Sequence, residues 1–158
     1  MNDPRRQYLA GTPALSKTQI GVFLKSYGLR ATRQRRGLVR LLFGKNDRHI
    51  TAETLANEAR TANIHTSMAT VYNVLNLFAQ VGLIRSLAIE GDRAIFDTNT
   101  SDHCHYFFED TKEVRDIESS EMNLANHIEA PDGYEVSRVD VVVTLKRKDP
   151  TPPARAAL

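Results

Sequence analysis

The sequence predicts an α+β fold, and three of its features carry that prediction. Four segments with helical periodicity occupy the first half of the 158 residues, two short strand-like runs follow, and alternating strands return near the end. Hydrophobic residues make up 41% of the chain, which is enough for a core. No apolar run approaches the ~18 residues of a membrane span. We therefore expect a soluble, cytoplasmic protein of one compact unit or two small lobes.

The first three predicted helices have recognisable starts and ends. Ser16 begins the first, with Gln19 completing a capping box, and Gly28 ends it. Thr32 and Thr51 begin the second and third. The inward-facing stripes of the three helices are Ile20, Phe23 and Leu24, then Leu38, Leu41 and Leu42, then Leu55, Ala56 and Ala59.

The fourth predicted helix has the clearest pattern. Ser67 can cap it, and Gly82 closes it. Its predicted buried face consists of Met68, Val71, Val74, Leu75 and Phe78. Its other face carries short hydrogen-bonding side chains, namely Thr66, Thr70, Asn73 and Asn76, with Tyr72 at the edge.

A predicted hairpin follows the four helices. Residues 83–89 and 93–96 are strand-like, and residues 90–92, Glu-Gly-Asp, read as the turn between them. Helices followed by a hairpin are the element order of a winged helix-turn-helix domain, which we assign to residues 16–97. Asp97 to Ser101 would connect it to the next domain.

The C-terminal part predicts a small α/β domain over residues 98–148. Strands are expected at residues 103–108 and 114–117, a helix over 118–130, and a long strand with a well-buried face over 139–145. Such a sheet is too small to bury both faces, so we expect a homodimer. Residues 1–15 and 149–158 are predicted to be a disordered arm and tail.

The two halves of the chain differ in charge. Residues 1–85 contain 13 Lys and Arg against 4 Asp and Glu, whereas residues 86–158 contain 8 against 15. A basic half can attract the phosphate backbone of nucleic acid. Four arginines at the start of the second predicted helix could hold that backbone through their guanidinium groups: Arg30, Arg33, Arg35 and Arg36. Alternatively, they form a solvated surface run.

The fourth predicted helix is the candidate for reading DNA. A helix-turn-helix inserts its second helix into the major groove. Tyr72 offers an aromatic face for a thymine methyl group and a hydroxyl for a phosphate. The short polar side chains that could bind base edges or phosphates are Ser67, Thr70 and Asn73. The alternative is an ordinary capped surface helix.

Five residues form a candidate metal site. His103 and His105 lie two apart on a predicted strand, so both imidazoles leave the same face, and Cys104 points to the other. The further candidates are His49, Asp97 and Asp116. Three imidazoles and two carboxylates suit Fe²⁺, Mn²⁺ or Zn²⁺. A hydrogen-bonded surface pair of histidines and turn-capping aspartates would explain the same residues.

Several ordered motifs over residues 17–148 resemble the Fur superfamily: GLRATRQR, RHITAETL, ATVYNVLN, GLIR and DRAIFDTNTSDHCHYFFED. Four further segments look like its Irr branch, the iron response regulators that report haem status: RLLFGK, FDTN, the EDT segment and PDGYEVSRVDVVVTLKRK. The resemblance implies a C-terminal dimerisation domain and operator contacts by Tyr72 and the arginines of TRQR. It also implies a hinge metal bound by His49, Asp97, His103, His105 and Asp116.

The chain departs from that family at two places. Phe108 and Thr111 stand where most members have paired zinc-binding cysteines, so no structural zinc of that kind can form with the single Cys104. The Irr branch commonly has three histidines at positions 103–105, associated with haem, and an N-terminal Cys-Pro haem motif in some members. This chain has His103-Cys104-His105 and lacks that motif. Haem is still expected to bind through this tripeptide.

We therefore predict an Irr-like regulator that binds double-stranded operator DNA as a dimer and loses DNA when haem is available. A PerR-like peroxide sensor or a Fur-like metal-dependent repressor is the alternative. A metalloenzyme using the histidine pair is a remote third. The sequence shows no general-base carboxylate for it, and the basic half would stay unexplained. We therefore predict a regulator and not an enzyme.

Overall fold

The computed structural model describes residues 16–44, 46–89, 93–117 and 128–148. The predicted arm, the predicted turn at 90–92, residues 118–127 of the predicted C-terminal helix and the predicted tail lie outside the described residues. Residues 128–130, the predicted end of that helix, are not helical. The chain divides into two compact units, Met1–Ser101 and Asp102–Leu158. In the described part, no helix has the length and apolar character to cross a membrane.

The described residues of the N-terminal unit form four helices and a three-stranded sheet in winged-helix order. The elements are α1 (Lys17–Ser26), α2 (Arg33–Phe43), β1 (His49–Thr51), α3 (Ala52–Thr61), α4 (Met68–Gln80), β2 (Arg85–Leu87) and β3 (Ile95–Asp97). The sheet is antiparallel with β3 in the centre, between β1 and β2. The predicted α+β class is confirmed.

All four helices begin where the sequence predicts. Ser16, Thr32, Thr51 and Ser67 are the N-caps, and each side-chain oxygen accepts a hydrogen bond from the backbone amide three residues on. These bonds satisfy amides that have no partner within the helix. The Ser16–Gln19 capping box is also formed, because the Ser16 amide donates to Gln19 Oε1 over 2.9 Å. Helix starts were therefore readable from local chemistry.

The predicted stripes of the helices meet in one core. Leu38, Leu55, Leu75 and Phe78 are fully buried, and Phe96 joins them from β3. Met68, predicted to lie on the buried face of α4, is instead 48% exposed. It is the first residue of the helix, so its side chain lies beyond the end of the packed stripe.

The strands of the N-terminal unit differ in part from the prediction. β1 was not predicted, because three residues are too few for a periodic pattern. The predicted run at 83–89 shortens to β2, whereas the run at 93–96 shifts to β3, which begins two residues later and extends to Asp97. Leu83 and Ile84 precede β2 and are buried in the helical core. β1 begins with His49, one of the five candidate metal ligands.

Gly37 marks a close approach between α2 and the segment before α4. A Cβ atom at Gly37 would lie 2.9 Å from Ile64 Cγ2, whereas one at Gly21 in α1 would find its nearest neighbour at 3.9 Å. Overpacking costs about 1–3 kcal/mol, and replacing helical glycine by alanine gains about 1 kcal/mol. We expect Gly37→Ala to lower the free energy of unfolding by up to about 2 kcal/mol.

Gly21→Ala is the matched control for that substitution. It has room for the methyl group and is expected to raise the free energy of unfolding by up to about 1 kcal/mol. Urea denaturation of both variants measures the difference. Equal stabilisation by the two alanines would show that Gly37 is not closely packed.

The C-terminal unit contains a second three-stranded sheet, formed by β4 (Cys104–Phe108), β5 (Val114–Ile117) and β6 (Val142–Leu145). β4 lies in the centre, antiparallel to β5 and parallel to β6. β6 is shorter than the predicted strand over 139–145, and its apolar residues are only half-buried. The prediction of a well-buried face for this strand is therefore wrong in the single chain, because β6 lies at the edge of the sheet.

Candidate functional site

Three candidate metal ligands of the C-terminal unit come together at the start of β4. The rings of His103 and His105 have centroids 4.4 Å apart, on the same side as predicted. Asp116 in β5 is the cross-strand partner of His105. Its Oδ1 lies 3.3 Å from His103 Nε2 and 3.7 Å from His105 Nε2. The antiparallel register therefore brings a carboxylate to a histidine pair.

These separations fit a divalent cation. Nitrogen and oxygen ligands bind such ions at about 2.1 Å, so neighbouring ligands in a tetrahedral arrangement lie about 3.4 Å apart. The His105 side chain is 1% exposed, whereas that of Asp116 is 43% exposed. The imidazoles are therefore held in position by their surroundings while the carboxylate stays accessible to an ion from solvent. Imidazole with carboxylate suits Mn²⁺, Fe²⁺ or Zn²⁺.

The other two candidates meet within the N-terminal unit. His49 in β1 is paired in register with Asp97 in β3, and His49 Nε2 lies 3.9 Å from Asp97 Oδ2. The other carboxylate oxygen of Asp97, Oδ1, accepts a 2.7 Å hydrogen bond from the Asn99 amide. This is an Asx turn, and it sets the orientation of a carboxylate that is buried.

Residues next to this pair hold the two strands together. The Arg48 amide donates to Thr98 Oγ1 over 2.8 Å, and the Thr98 amide donates back to the Arg48 carbonyl. Arg48 also forms a 2.7 Å ion pair with Glu58 of α3. Sequence reasoning missed Thr98 and Asn99 as supporting residues. The Asp-x-Asn spacing after a strand is the signal that could have identified the Asx turn.

Arg85 is a second residue that the sequence did not point to. It is buried, and the register of β2 and β3 places it opposite Asp97. Directly opposed residues of antiparallel strands have neighbouring side chains on one face. The Arg85 guanidinium donates to the Ser101 carbonyl. A buried cation therefore lies on the strand next to Asp97 and is anchored to the end of the connector.

Cys104 lies on the other side of β4 from the histidines. It is half-buried and is paired in register with Ile117, and the next residue on its side, Tyr106, is 36% exposed. The alternation of the strand thus separates the thiol from the imidazoles, as predicted. The thiol and the histidine pair offer two different ligand surfaces.

The predicted reading residues lie along α4. Tyr72 is 46% exposed, and Asn73 is exposed beside it. Ser67 Oγ accepts from the Thr70 amide and lies 2.9 Å from Thr70 Oγ1, so both hydroxyls are engaged at the helix cap. Of the four predicted reading residues, Tyr72 and Asn73 are therefore the most available to an external partner.

The four predicted phosphate-binding arginines lie in and before the first turn of α2. Arg30 and Arg33 are exposed. Arg35 is tethered, because its Nη1 donates to the Arg30 carbonyl over 3.0 Å. Arg36 is half-buried and points toward α1, where its Nη2 lies next to Gly21. The four therefore differ in surroundings, and Arg33 is the most open of those within α2.

Known proteins share both this sequence and this fold. The model of the Ferric uptake regulator family, FUR, matches residues 26–144. The chain belongs to that family. It is a Fur-family, metal-responsive transcription regulator with a helical N-terminal domain and a small sheet-containing C-terminal domain.

Relatives with different names match this chain to similar degrees. The peroxide-responsive repressor PerR of Staphylococcus aureus (strain Mu50) is 29% identical over 109 residues, which are 66% of this chain and 73% of that repressor. The Pseudomonas aeruginosa ferric uptake regulator, solved with manganese, matches with a TM-score of 0.70 and 27% identity over 82% of this chain and 98% of its own.

A peroxide stress regulator from Campylobacter jejuni shares the fold, with a TM-score of 0.61 over 80% of this chain and 95% of its own at 23% identity. Each of these relatives is named as a regulator. They are named as peroxide-responsive or ferric uptake regulators, so the assignment of this chain to the Irr branch stays a prediction.

Proposed function

We propose that the chain is an operator-binding regulator whose DNA affinity depends on a divalent cation. The observation that carries this proposal is the convergence of His103, His105 and Asp116 within the C-terminal unit. Fur-family regulators bind DNA as dimers. The proposed ligand is therefore double-stranded DNA bound by a homodimer, with α4 in the major groove.

The full ligand set that we propose also includes His49 and Asp97, which the register of β1 and β3 brings together. Their arrangement supports this, because Asp97 is buried and oriented by Asn99, and His49 lies close to its second oxygen. The P. aeruginosa regulator was solved with manganese, and one from Francisella tularensis with iron. When bound, the cation would supply the positive charge that holds these carboxylates in one geometry.

The proposed DNA-reading residues are Tyr72, Asn73, Ser67 and Thr70, with Arg30, Arg33, Arg35 and Arg36 on the phosphates. The exposure of Tyr72 and Asn73 supports the reading role. The basic balance of residues 1–85 supports attraction to the DNA backbone.

A second, finer proposal is that the regulator is Irr-like and releases DNA when haem is available. A half-exposed Cys104 between two histidines favours it, since thiolate and imidazole both bind haem iron. Phe108 and Thr111 in place of paired cysteines also favour it. A haem bound by His103, Cys104 or His105 would lower DNA affinity only if it prefers the DNA-free form.

One titration distinguishes these proposals. The purified chain is titrated with iron-box duplex alone, with Mn²⁺, with haemin, and after Fe²⁺ and peroxide. Tighter binding with Mn²⁺ supports the metal-dependent regulator, and equal affinity in all four conditions contradicts it. Release by haemin supports the Irr-like form. A mass gain on a histidine with release after peroxide supports the PerR-like alternative.

The haem ligands can be tested by absorbance. We expect the wild-type protein to shift and sharpen the Soret band of free haemin, and Cys104→Ala to change the position of that band, because loss of the thiolate changes the axial ligand. His103→Ala with His105→Ala is the matched variant on the opposite side of the strand. If both variants keep the wild-type spectrum, the haem binds elsewhere.

A further inference from the structure

A second basic surface lies on α1, and none of the residues that line it is a candidate metal ligand or belongs to α4. It is an open groove of about 480 Å³ between α1 and the start of α2. Its cationic lining residues are Lys17, Lys25, Arg30 and Arg36. We refer to it as the α1 groove. The two lysines had no role in the site described above.

The α1 groove is strongly positive. None of its lining residues is acidic. Among the described residues, no carboxylate forms an ion pair with any of its four cations. Arg36 Nε is buried and has no hydrogen-bond acceptor in the part of the chain that the structure describes.

The spacing of residues on α1 shapes the groove. Lys17, Gly21 and Lys25 are four residues apart, so they share one face of the helix. Gly21 has no side chain to fill the space between the lysines, and Arg36 Nη2 lies 3.9 Å from where its Cβ would be. A guanidinium therefore lies beside Gly21, midway between two lysines whose Cα atoms are about 12 Å apart along the helix axis.

We propose that the α1 groove binds the phosphate backbone of duplex DNA, as a contact separate from α4. The inference rests on the proposed function and adds Lys17 and Lys25 to the DNA-binding residues. A row of cations along an open groove complements a polyanionic strand. Arginine presents a planar fork that matches phosphate oxygens, and lysine acts as a point charge beside it.

The test removes the two lysines together, as Lys17→Gln with Lys25→Gln. Affinity for duplex DNA is measured over a range of salt concentrations. Each phosphate contact contributes about 0.9 to the slope of log K against log salt, so we expect the slope to fall by about 2 for each subunit that contacts the duplex. A backbone contact carries no sequence information, so the fall should be equal on operator and random-sequence duplex.

Lys146→Gln with Lys148→Gln is the matched control, because it removes the same charge from the C-terminal unit. Its slope should stay at the wild-type value. Circular dichroism melts establish that both double variants are folded. An equal loss of slope in the control would show a general charge effect and overturn the inference.

The remaining outcomes separate the inference from the proposed function. A wild-type slope in Lys17→Gln with Lys25→Gln would overturn the α1 groove contact and leave the proposed function intact. Failure of the wild-type protein to bind any duplex would overturn both. Inorganic phosphate is titrated into the wild-type protein as a separate probe. If it binds while the DNA slope of the double variant is unchanged, the groove is a small-anion site and the DNA contact is wrong.

Discussion

Replacing His103 and His105 together with alanine is expected to lower the affinity for Mn²⁺ at least about 100-fold, because even outer-shell partners of metal ligands are worth 10–100-fold. The two imidazoles contribute two of the three ligand atoms that converge in the C-terminal unit. Of the proposed ligand set, His49, Asp97 and Asp116 would remain, and they offer a divalent cation three ligand residues in place of five. Isothermal titration with Mn²⁺ measures the loss, and DNA binding should then no longer respond to Mn²⁺.

His105 is buried, so its removal could also disturb the sheet. Asp116→Asn avoids that difficulty, since it is nearly isosteric and its side chain is 43% exposed. It removes the charge while leaving β5 intact, and it should also weaken Mn²⁺ binding. Cys104→Ala is the control on the other side of β4 and should bind Mn²⁺ as the wild type does. Wild-type Mn²⁺ affinity in both ligand variants would show that the cation binds elsewhere.

The second large effect is expected on operator affinity, from a substitution in α4. Tyr72→Ala should cost about 1–3 kcal/mol of operator binding in each subunit. A dimer presents two reading helices, so operator affinity is expected to fall at least about 30-fold. The affinity for random-sequence duplex should fall much less, because the contacts that Tyr72→Ala removes are contacts to operator bases. Fluorescence anisotropy with operator and random-sequence duplexes measures both values.

Controls separate the reading contact from general effects. Tyr134 of the C-terminal unit is 79% exposed, so Tyr134→Ala removes an exposed tyrosine elsewhere and should leave DNA affinity unchanged. Arg33→Ala with Arg35→Ala should instead weaken binding to both duplexes and flatten the salt dependence of that binding, since phosphate contacts are not sequence-specific. If Tyr72→Ala retains wild-type operator affinity, α4 is not the reader.

Local chemistry explains which elements were predictable. The four N-caps could be read from the sequence, because a Ser or Thr side chain bonds an amide only three residues away. The buried faces of the helices followed from periodicity. β1 and the shortened β6 were not predictable in the same way. Their limits depend on pairing with β3 and β4, which lie far from them in sequence.

The candidate site shows the same division. That His103 and His105 face one way and Cys104 the other is a consequence of strand alternation, which the sequence by itself determines. That the single cysteine excludes a paired-cysteine zinc site also follows from the sequence alone.

Only the tertiary structure decided which residues meet these groups. Register places Asp116 opposite His105, and places both His49 and the buried Arg85 opposite Asp97. Strand register is set by the packing of side chains that are distant in the chain. A slip of one residue would turn every side chain of the slipped strand to the other face of the sheet. Sequence spacing therefore determines which way a side chain points, and packing determines what it meets.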